Sequence, residues 1–224
     1  MYFPPCACTK KILFFCVLIL LSSTLQAKAK IYQIPDHFLE EIKVKKEIVE
    51  KNPHSAEAYF ELAMSYSYTG QIEAGWAELK KVNDYDKEYA LKVIKKYGDL
   101  VAKDPQNWQY NFKLAFGYYF DDKKDLADQQ FSAALKIAPK NIWVMGFSAL
   151  VKGENGQVDG AIDLCKKALK IEPNATAIHF LLGQALLKKG DYIGFIAESL
   201  ITIRLKSEEE AARKEKKDEE KSKV

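Results

Sequence analysis

Apolar and small residues along positions 56–203 follow the spacing of helix faces, and the pattern repeats with a period of 34 residues. Pro105, Pro139 and Pro173 mark this period, because each lies 34 residues from the next. The four copies of the pattern begin near Ala56, Trp108, Ile142 and Thr176. A fixed period of this length predicts stacked helical hairpins, and each hairpin must pack on its neighbours because it cannot bury its apolar face alone.

Two places within each copy hold residues whose size or backbone freedom has a structural purpose. The eighth place is small in every copy, as is needed where two helix backbones approach closely: Ala63, Ala115, Ala149 and Gly183. The fifteenth place holds residues that tolerate the left-handed backbone of a turn between helices: Gly70, Asp122, Gly156 and Gly190. The register holds in all four copies, which favours one repeated unit over a chance likeness.

These residues resemble the tetratricopeptide repeat family, whose pattern has a small residue at place eight, Gly at fifteen and Pro at thirty-two. The resemblance covers residues 56–203 and is strongest over residues 108–173. It departs from the family at Asn111 and His179, where a large residue is expected, and at Lys152, where Tyr is expected. The resemblance implies an all-α fold, an α-solenoid of stacked antiparallel helical hairpins that forms a right-handed superhelix.

Two more helices are predicted outside the four copies. Residues 35–51 have apolar side chains at mixed three- and four-residue spacing, which predicts a helix that caps the first hairpin. Pro53 and Pro105 lie 52 residues apart, 18 more than the period of 34, and this insertion has one apolar helix face. An added helix reverses the later hairpins relative to the first, because short turns make consecutive helices antiparallel. We therefore expect two sub-arrays with a kink or joint near residues 84–105.

The residues past Leu205 are almost entirely charged or small, so no core can form there. This segment is interpreted as a solvated helical extension or a disordered tail, and the alternative is a docking tail for an envelope partner. The predicted organisation is: 1–29 signal peptide, 30–53 capping helix, 54–86 first repeat, 87–105 extra helix, 106–139 second repeat, 140–173 third repeat, 174–205 degenerate fourth repeat and 206–224 charged tail.

The first segment has the pattern of a secretory signal. Lys10 and Lys11 precede an apolar run at 12–21, and small residues follow at Ala27 and Ala29, where cleavage is expected. We therefore expect export to a periplasmic or extracellular location. The alternative is a membrane anchor formed by the uncleaved segment, and membrane contact is expected only in that case. The run of ten apolar residues is short beside the roughly 20 that span a bilayer.

Composition and motifs exclude several classes of function. The chain is 48% hydrophobic and 29% charged with a net charge of +3, which is typical of a globular protein and too balanced for a nucleic-acid partner. It has no GxxxxGK[ST], GxGxxG, GxSxG or HExxH motif, so an enzyme is not predicted, nor is any cofactor or metal. Its three histidines are far apart in sequence: His37, His54 and His179. Once the signal peptide is removed, Cys165 is the only cysteine left and no internal disulfide can form.

The resemblance implies a concave groove lined by places five, nine and twelve of the first helix of each hairpin. In this sequence the expected lining is aromatic and apolar: Phe60, Met64, Phe112, Phe116, Tyr119, Phe120, Trp143 and Phe180. Such a surface favours an apolar or aromatic segment of a protein or peptide partner. The alternative is that the extra helix or the ends of the chain cover Phe112, Phe116 and Phe120 as ordinary core.

The expectation that follows is a non-enzymatic protein-binding scaffold or adaptor of the cell envelope. One alternative is a self-associating structural protein, a homo-oligomer that pairs through the degenerate fourth repeat at Phe195, Ile196 and Ile201. Another is an accessory subunit of an envelope enzyme or secretion complex. The sequence does not identify the partner.

Overall fold

Helices account for nearly all of the residues that the structure describes. The structure is a computed structural model that describes residues 32–221, so the predicted signal peptide at 1–29 lies outside the described residues. Ten helices follow one another within 32–221, and no strand occurs there, which confirms the expected all-α class. Their bounds are α1 Asp36–Lys51, α2 Ala56–Ser67, α3 Ile72–Tyr85, α4 Tyr89–Lys103, α5 Trp108–Phe120, α6 Lys124–Ile137, α7 Ile142–Glu154, α8 Val158–Ile171, α9 Thr176–Lys189 and α10 Tyr192–Lys221.

The first helix of a hairpin begins, in three of the four copies, at a side-chain cap that lies two residues after a proline. Ser55 Oγ accepts a hydrogen bond from the backbone N–H of Ala58 at 3.2 Å. Asn107 and Asn141 each accept from two backbone N–H groups of the helix they precede, at 3.0–3.2 Å. Such a cap stabilises a helix by about 1 kcal/mol. Ala175, which precedes α9, offers no side-chain acceptor.

The turns inside the hairpins have the left-handed backbone that the sequence predicts. Gly70, Gly156 and Gly190 have φ angles of 79°, 80° and 86°, and Asp122 has a φ of 55°. Since L-residues other than Asn and Asp rarely adopt this region, the choice of residue at place fifteen follows from the geometry of the turn.

The hairpins α2–α3, α5–α6, α7–α8 and α9–α10 are the most extensively packed helix pairs of the described chain. The later hairpins stack in line, with α6 against α7 and α8 against α9. Small residues at the repeat positions are at most 2% exposed, which allows the helices to approach closely: Ala63, Ala115, Ala127, Ala134, Ala149, Ala161 and Ala168.

The extra helix, α4, packs on the second repeat in the way that the second helix of one hairpin packs on the first helix of the next. It packs along α5 as α6 packs along α7. Gly117 of α5 makes the approach possible, because a Cβ atom there would lie 2.8 Å from Val93 Cγ1 and 3.2 Å from the backbone nitrogen of Ile94. On its other side, α4 presents Tyr89 and Tyr97 to Phe60 of α2, with ring centroids 5.7 and 6.2 Å apart.

The expected reversal of the first hairpin is present in the contacts between helix ends. Tyr68, at the end of α2, contacts Trp108, at the start of α5, with ring centroids 5.5 Å apart. Like ends meet in the later hairpins, where the Tyr119 hydroxyl at the end of α5 donates to Glu154 at the end of α7 at 2.9 Å. The first hairpin thus runs opposite to those after it.

The expected joint near residues 84–105 does not separate two sub-arrays. The reversed hairpin folds back onto α5 and α7, and the described residues, 32–221, belong to one compact unit. Lys206 of α10 also reaches Glu73 at the start of α3, with Nζ and Oε1 2.7 Å apart. This arrangement buries Phe112 and Phe116 of α5, which an open joint would leave exposed to water.

The tail is a continuation of the last helix. α10 runs 30 residues from Tyr192 to Lys221, so most of the predicted charged tail is helical. Of the two forms interpreted for this segment, the structure has the solvated helical extension.

We predict that Gly117→Ala destabilises the fold, because the new Cβ forces apart α4 and α5. The expected loss is about 1–3 kcal/mol in the free energy of unfolding, measured by denaturant titration. Gly98→Ala in α4 is the matched control. A Cβ at Gly98 meets nothing within 4 Å, so the gain in helix propensity stabilises the fold by about 0.5–1 kcal/mol. Equal effects of the two variants would contradict the close α4–α5 packing.

Candidate protein-binding surface

The first helices of the last three hairpins share a row of side chains that we call the inner face. It consists of places five, nine and twelve: Phe112, Phe116 and Tyr119 of α5, Gly146, Leu150 and Gly153 of α7, and Phe180, Gln184 and Leu187 of α9. These places lie on one side of a helix, because residues at i, i+4 and i+7 fall within about 60° of one another. This is the face that the family resemblance implies as the binding surface.

The α2–α3 hairpin covers the part of the inner face that α5 provides. The Tyr68 ring packs against Phe112 with centroids 5.9 Å apart. Trp76 of α3 approaches Phe120 at 6.2 Å. On the opposite side, Phe112 and Phe116 pack against Phe147 of α7 at 5.5 and 4.9 Å. The two phenylalanines are therefore enclosed between the first hairpin and α7.

The turn of the first hairpin is seated against the start of α7. Gly70 approaches Trp143 so closely that a Cβ atom would lie 2.3 Å from the ring carbon Cζ2. The Trp143 indole also donates from Nε1 to the Tyr32 hydroxyl at 3.0 Å, and the two rings meet edge to face. Trp143 is thus held by the chain's own N-terminal elements and has little surface left for a partner.

An ionic cluster centred on Glu61 joins the first hairpin to α4 and α5. Lys113 of α5 donates from Nζ to Glu61 Oε2 at 2.7 Å. The Tyr97 hydroxyl of α4 donates to the other carboxylate oxygen, Oε1. Lys45 of α1 and Lys96 of α4 lie at 3.6 and 3.7 Å from the same carboxylate. Four helices therefore meet at one carboxylate.

The charges in this cluster are largely removed from water. Burial alone would raise the pKa of Glu61, but the charge and hydrogen bond of Lys113, with the hydrogen bond of Tyr97, lower it to about 2. Burial lowers the pKa of Lys113, and the charge of Glu61 acts in the opposite direction. Burial and the neighbouring Glu61 raise the pKa of Tyr97, so its hydroxyl stays a neutral donor. The cluster is a structural ion pair held in one protonation state at neutral pH.

The eight residues expected to line the groove separate into two groups. Five are at most 5% exposed and belong to the core: Phe60, Met64, Phe112, Phe116 and Trp143. Tyr119 is half-buried, whereas Phe120 and Phe180 are 39% and 54% exposed. For Phe112 and Phe116 the alternative of ordinary core is the arrangement in the structure, because the chain's own first hairpin covers them. For Phe120 the chain leaves part of the ring accessible.

The part of the inner face that remains open is an apolar pocket between α7 and α9, which we call the open groove. Its volume is about 290 Å³. It is lined by Ala149, Leu150, Gly153, Glu154, Leu181, Gln184, Ala185, Leu187 and Lys188. Six of the nine lining residues are aliphatic or small, so the groove suits an apolar side chain of a partner rather than a charged group.

Polar groups lie at the rim of the open groove and are already fixed by the protein. Glu154 accepts from the Tyr119 hydroxyl and pairs with Lys124, with Nζ and Oε2 3.2 Å apart. Burial and the adjacent Glu154 raise the pKa of Tyr119 to about 12, which keeps its hydroxyl protonated. Lys188 donates from Nζ to the carbonyl oxygen of Gly153 at 2.6 Å. These contacts hold α5, α7 and α9 together at the end where the groove opens.

Other candidate chemistry in the described residues has structural partners. The buried Cys165 has its pKa raised to about 12 by burial, so it is a packed thiol rather than a reactive thiolate. His179 contacts Glu198 at 2.6 Å through Nδ1 and the carbonyl oxygen of Pro173 at 2.9 Å through Nε2. Among residues 32–221, no group of three or more His, Cys, Asp or Glu is placed to hold a metal ion.

No helix within 32–221 combines the length and the apolar character that crossing a membrane requires.

Sequence reasoning did not identify the Glu61 cluster or the open groove. One signal for the cluster was available: Lys113 is the only charged residue in the sequence of α5, and a lysine in so apolar a helix needs a counter-charge. The open groove has no comparable signal, because most of its lining residues are aliphatic or small and also suit a core.

A family model of the tetratricopeptide repeat matches residues 154–192. This span contains α8 and α9 whole, where the hairpin sequences of the third and fourth copies meet. The match supports the resemblance that the period of 34 residues indicated. No curated protein matches the chain significantly.

Solved structures of the protein MamA are similar in fold. The RS-1 ArsTM double mutant of MamA has a TM-score of 0.51 and 13% sequence identity, over 77% of this chain and 86% of that one. A MamA AMB-1 structure has a TM-score of 0.48 and 17% identity, over 77% of this chain and 91% of that one. At 13% identity the likeness to the double mutant concerns the fold alone, and it agrees with an α-solenoid.

We predict that Glu61→Gln destabilises the fold at neutral pH by about 3–5 kcal/mol, because Lys113 is left as a buried charge without its partner. The variant also loses the part of the pH dependence of stability that comes from titration of Glu61. The pKa of Glu61 in the folded protein, about 2, is below the ordinary 4.5, so its stabilisation is complete above pH 4.5 and is lost as the pH falls toward 2. Denaturant titrations at several pH values measure both effects.

Glu57→Gln is the matched control for this prediction. Glu57 lies one helical turn before Glu61 and pairs with Lys96 at 2.6 Å, but its side chain is 58% exposed. Loss of an exposed pair costs less than about 1 kcal/mol. If the Glu61→Gln protein keeps the acid dependence of the unaltered protein, Glu61 is not the group that titrates.

Proposed function

We propose that the chain is a non-enzymatic protein-binding scaffold or adaptor of the cell envelope, and that it holds its partner at the open groove. The single observation that carries the proposal is the open apolar pocket on the inner face. The tetratricopeptide fold supports a binding role, since a stack of hairpins provides an extended surface rather than a set of reactive groups.

The partner segment that suits the open groove has an apolar side chain as its anchor. Leu150 of α7 and Leu181 and Leu187 of α9 line the pocket. Phe180 is exposed one helical turn before Gln184, so the apolar surface continues beyond the pocket along α9. A helix or an extended peptide with one or two large apolar residues can bury them there. Lys and Asn at places five and nine, which grip a terminal carboxylate in some members of the family, are absent from α9, where these places are Phe180 and Gln184.

The part of the inner face next to α5 is not offered to a partner, because the first hairpin occupies it. The binding surface proposed here is therefore smaller than the one that the repeats alone would provide. The helices that form this surface are fixed relative to one another, since the contacts of Glu154 and Lys188 join α5, α7 and α9. A preformed site of this kind loses little conformational entropy when it binds.

The envelope location rests on the pattern of residues 10–29. Lys10 and Lys11, the apolar run after them and the small residues Ala27 and Ala29 have the order of a secretory signal. Export brings the repeat array to a compartment where its partners are other envelope proteins.

We predict that Phe180→Ser combined with Leu187→Ser weakens capture of the partner at least tenfold while the fold is kept. Both residues are exposed, at 54% and 38%, so the stability changes by only about 1 kcal/mol. Loss of an apolar anchor in an interface is expected to cost more than about 1.4 kcal/mol of binding, which is tenfold in affinity. The measurement is quantitative co-precipitation from envelope extract, with thermal melting of both proteins.

Ile171→Ser is the matched control for the groove. Ile171 is 48% exposed at the end of α8, outside the residues that line the groove. Its substitution removes about as much exposed apolar surface as either groove substitution alone, and it is expected to leave capture unchanged. Capture that survives the double substitution, or falls equally in the control, contradicts the groove as the binding site.

We predict that the mature chain in its source cell begins near residue 28 or 30. Mass spectrometry of the chain from fractionated cells measures the mass of the N-terminal peptide and its compartment. Lys10→Glu with Lys11→Glu is expected to retain the precursor, because a signal needs its positive n-region. A full-length chain in the soluble cytoplasmic fraction would contradict the envelope location and leave the groove prediction standing on its own.

A further inference from the structure

The last helix has an exposed apolar stripe that faces away from the rest of the protein. Ile193, Ile196, Leu200 and Ile203 of α10 are 84%, 56%, 63% and 67% exposed. The opposite side of the same helix contacts α9, and Leu205 on that side is only 3% exposed. We call the four exposed residues the α10 stripe.

Two members of the α10 stripe are not part of the ordinary surface of a repeat. Ile193 and Leu200 occupy places eighteen and twenty-five of the fourth copy. The same places of the earlier copies are polar: Glu73, Lys80, Asp125, Ser132, Asp159 and Lys166. Stacking of one more hairpin would not need apolar residues at these places, because the stacked copies inside the array do without them. Ile196 and Ile203 occupy places twenty-one and twenty-eight, where the third copy has Ile162 and Leu169, so a stacked helix would cover those two. Ile193 and Leu200 require another explanation.

The spacing of the α10 stripe is that of a helix that pairs with another helix. Its members are separated by three, four and three residues, which is the alternation of the two core positions of a coiled coil. The stripe covers about three helical turns, and beyond it α10 becomes strongly charged. A partner helix of similar length would cover it fully.

The exposed area is large enough for a specific interface. Tyr192 adjoins the stripe and is 66% exposed. If a fully exposed large side chain presents about 150–200 Å², the five residues together expose on the order of 600 Å². Two such surfaces would bury roughly 1,200 Å² in all, which reaches the lower limit of stable protein interfaces. On most monomeric proteins a patch of this size is itself a sign of a binding site.

We propose that the α10 stripe pairs with the α10 stripe of a second copy of the chain, in an antiparallel dimer. When the axis of symmetry passes between Ile196 and Leu200, Ile193 of one copy meets Ile203 of the other, and Ile196 meets Leu200. All four side chains then face an apolar partner, so the stripe is complementary to itself. An isologous contact of this kind closes at two copies and does not propagate.

Charge decides between the two directions of pairing. A parallel pair would continue the core positions into the charged half of α10, and would set Glu210 against Glu210 and Lys214 against Lys214. The antiparallel pair avoids these contacts. It also brings Arg204 of one copy beside Asp191 and Tyr192 of the other, where the guanidinium meets a carboxylate and an aromatic ring. This surface is separate from the open groove, so the dimer would hold two grooves.

The test uses the full chain and two single substitutions, Ile196→Glu and Leu200→Lys. The unaltered protein is expected to be a dimer by light scattering and sedimentation over a concentration series. Each variant alone places a charge at two symmetric contacts, so its dimer is expected to dissociate about 100-fold more readily. An equimolar mixture of the variants is expected to regain a heterodimer, because Glu at 196 of one copy then meets Lys at 200 of the other.

Lys166→Glu provides the charge control, since Lys166 occupies in α8 the place that Leu200 occupies in α10, and it is exposed. It is expected to leave the dimer unchanged. Because all these proteins share the same N-terminal segment, differences between them report on α10. Circular dichroism tests that the two α10 variants keep their helices. If either is misfolded, Ile193→Glu, at the most exposed position, replaces it.

Three results would overturn the proposal. A monomer at all concentrations means that the stripe serves another occupant, such as a different protein or a lipid surface. A dimer that persists in both single variants uses another interface. Variants that dissociate alone and remain monomeric when mixed rule out the antiparallel register, because only that register places 196 against 200.

Discussion

The return of the first hairpin onto α5 and α7 is the constraint on which the rest of the molecule depends. It is fixed at two points: the Glu61–Lys113 ion pair and the contact of Gly70 with Trp143. The ion pair sits where α1, α2, α4 and α5 converge, and its groups have exchanged water for one another. Buried pairs add little net stability compared with an apolar core, but a misplaced one is costly. The pair therefore acts mainly by specifying one packed position of the first hairpin, since any other position leaves Lys113 buried and unpaired.

The inserted helix is the cause of this arrangement. With α4 in the stack, the first hairpin arrives reversed and cannot continue the in-line series of α5 to α10. Its apolar surface still has to be buried, and the aromatic face of α5 is the surface available. The consequence for function follows directly. The hairpin covers Phe112 and Phe116, and the binding surface that we propose is displaced along the array to α7 and α9.

Local features of the fold could be predicted from the sequence because they depend on one hairpin at a time. The positive φ angles at Gly70, Asp122 and Gly156 follow from the need to reverse the chain within a short turn. The extra helix and the reversal it causes were predictable from the length of the insertion. The return of the first hairpin was not. It depends on contacts such as Tyr68 with Phe112, which join residues of different copies. The 34-residue pattern of the sequence does not indicate such contacts.

The same limit explains the candidate site. Phe112 and Phe116 have the places and the residue type of a groove, and they are also what a tightly packed core uses, so pattern alone could not separate the two roles. Lys113 distinguishes the core role from the groove role. On an open peptide-binding helix a lysine would be exposed to water, whereas Lys113 is buried. A charge inside an apolar helix indicates that a neighbouring element must supply its partner.

The two ends of the repeat array differ in how their apolar surfaces are covered, and this difference bears on the proposed dimer. A stack of repeats has an uncovered apolar surface at each end unless an atypical element covers it. At the N-terminal end α1, with Lys45 in the Glu61 cluster, and the returned hairpin provide that cover. At the C-terminal end α10 has only its inner side covered, and its outer side carries Ile193 and Leu200 where earlier copies have polar residues. The chain itself thus covers the apolar surface at the N-terminal end of the stack. The outer side of α10, at the other end, has the apolar composition of a protein interface.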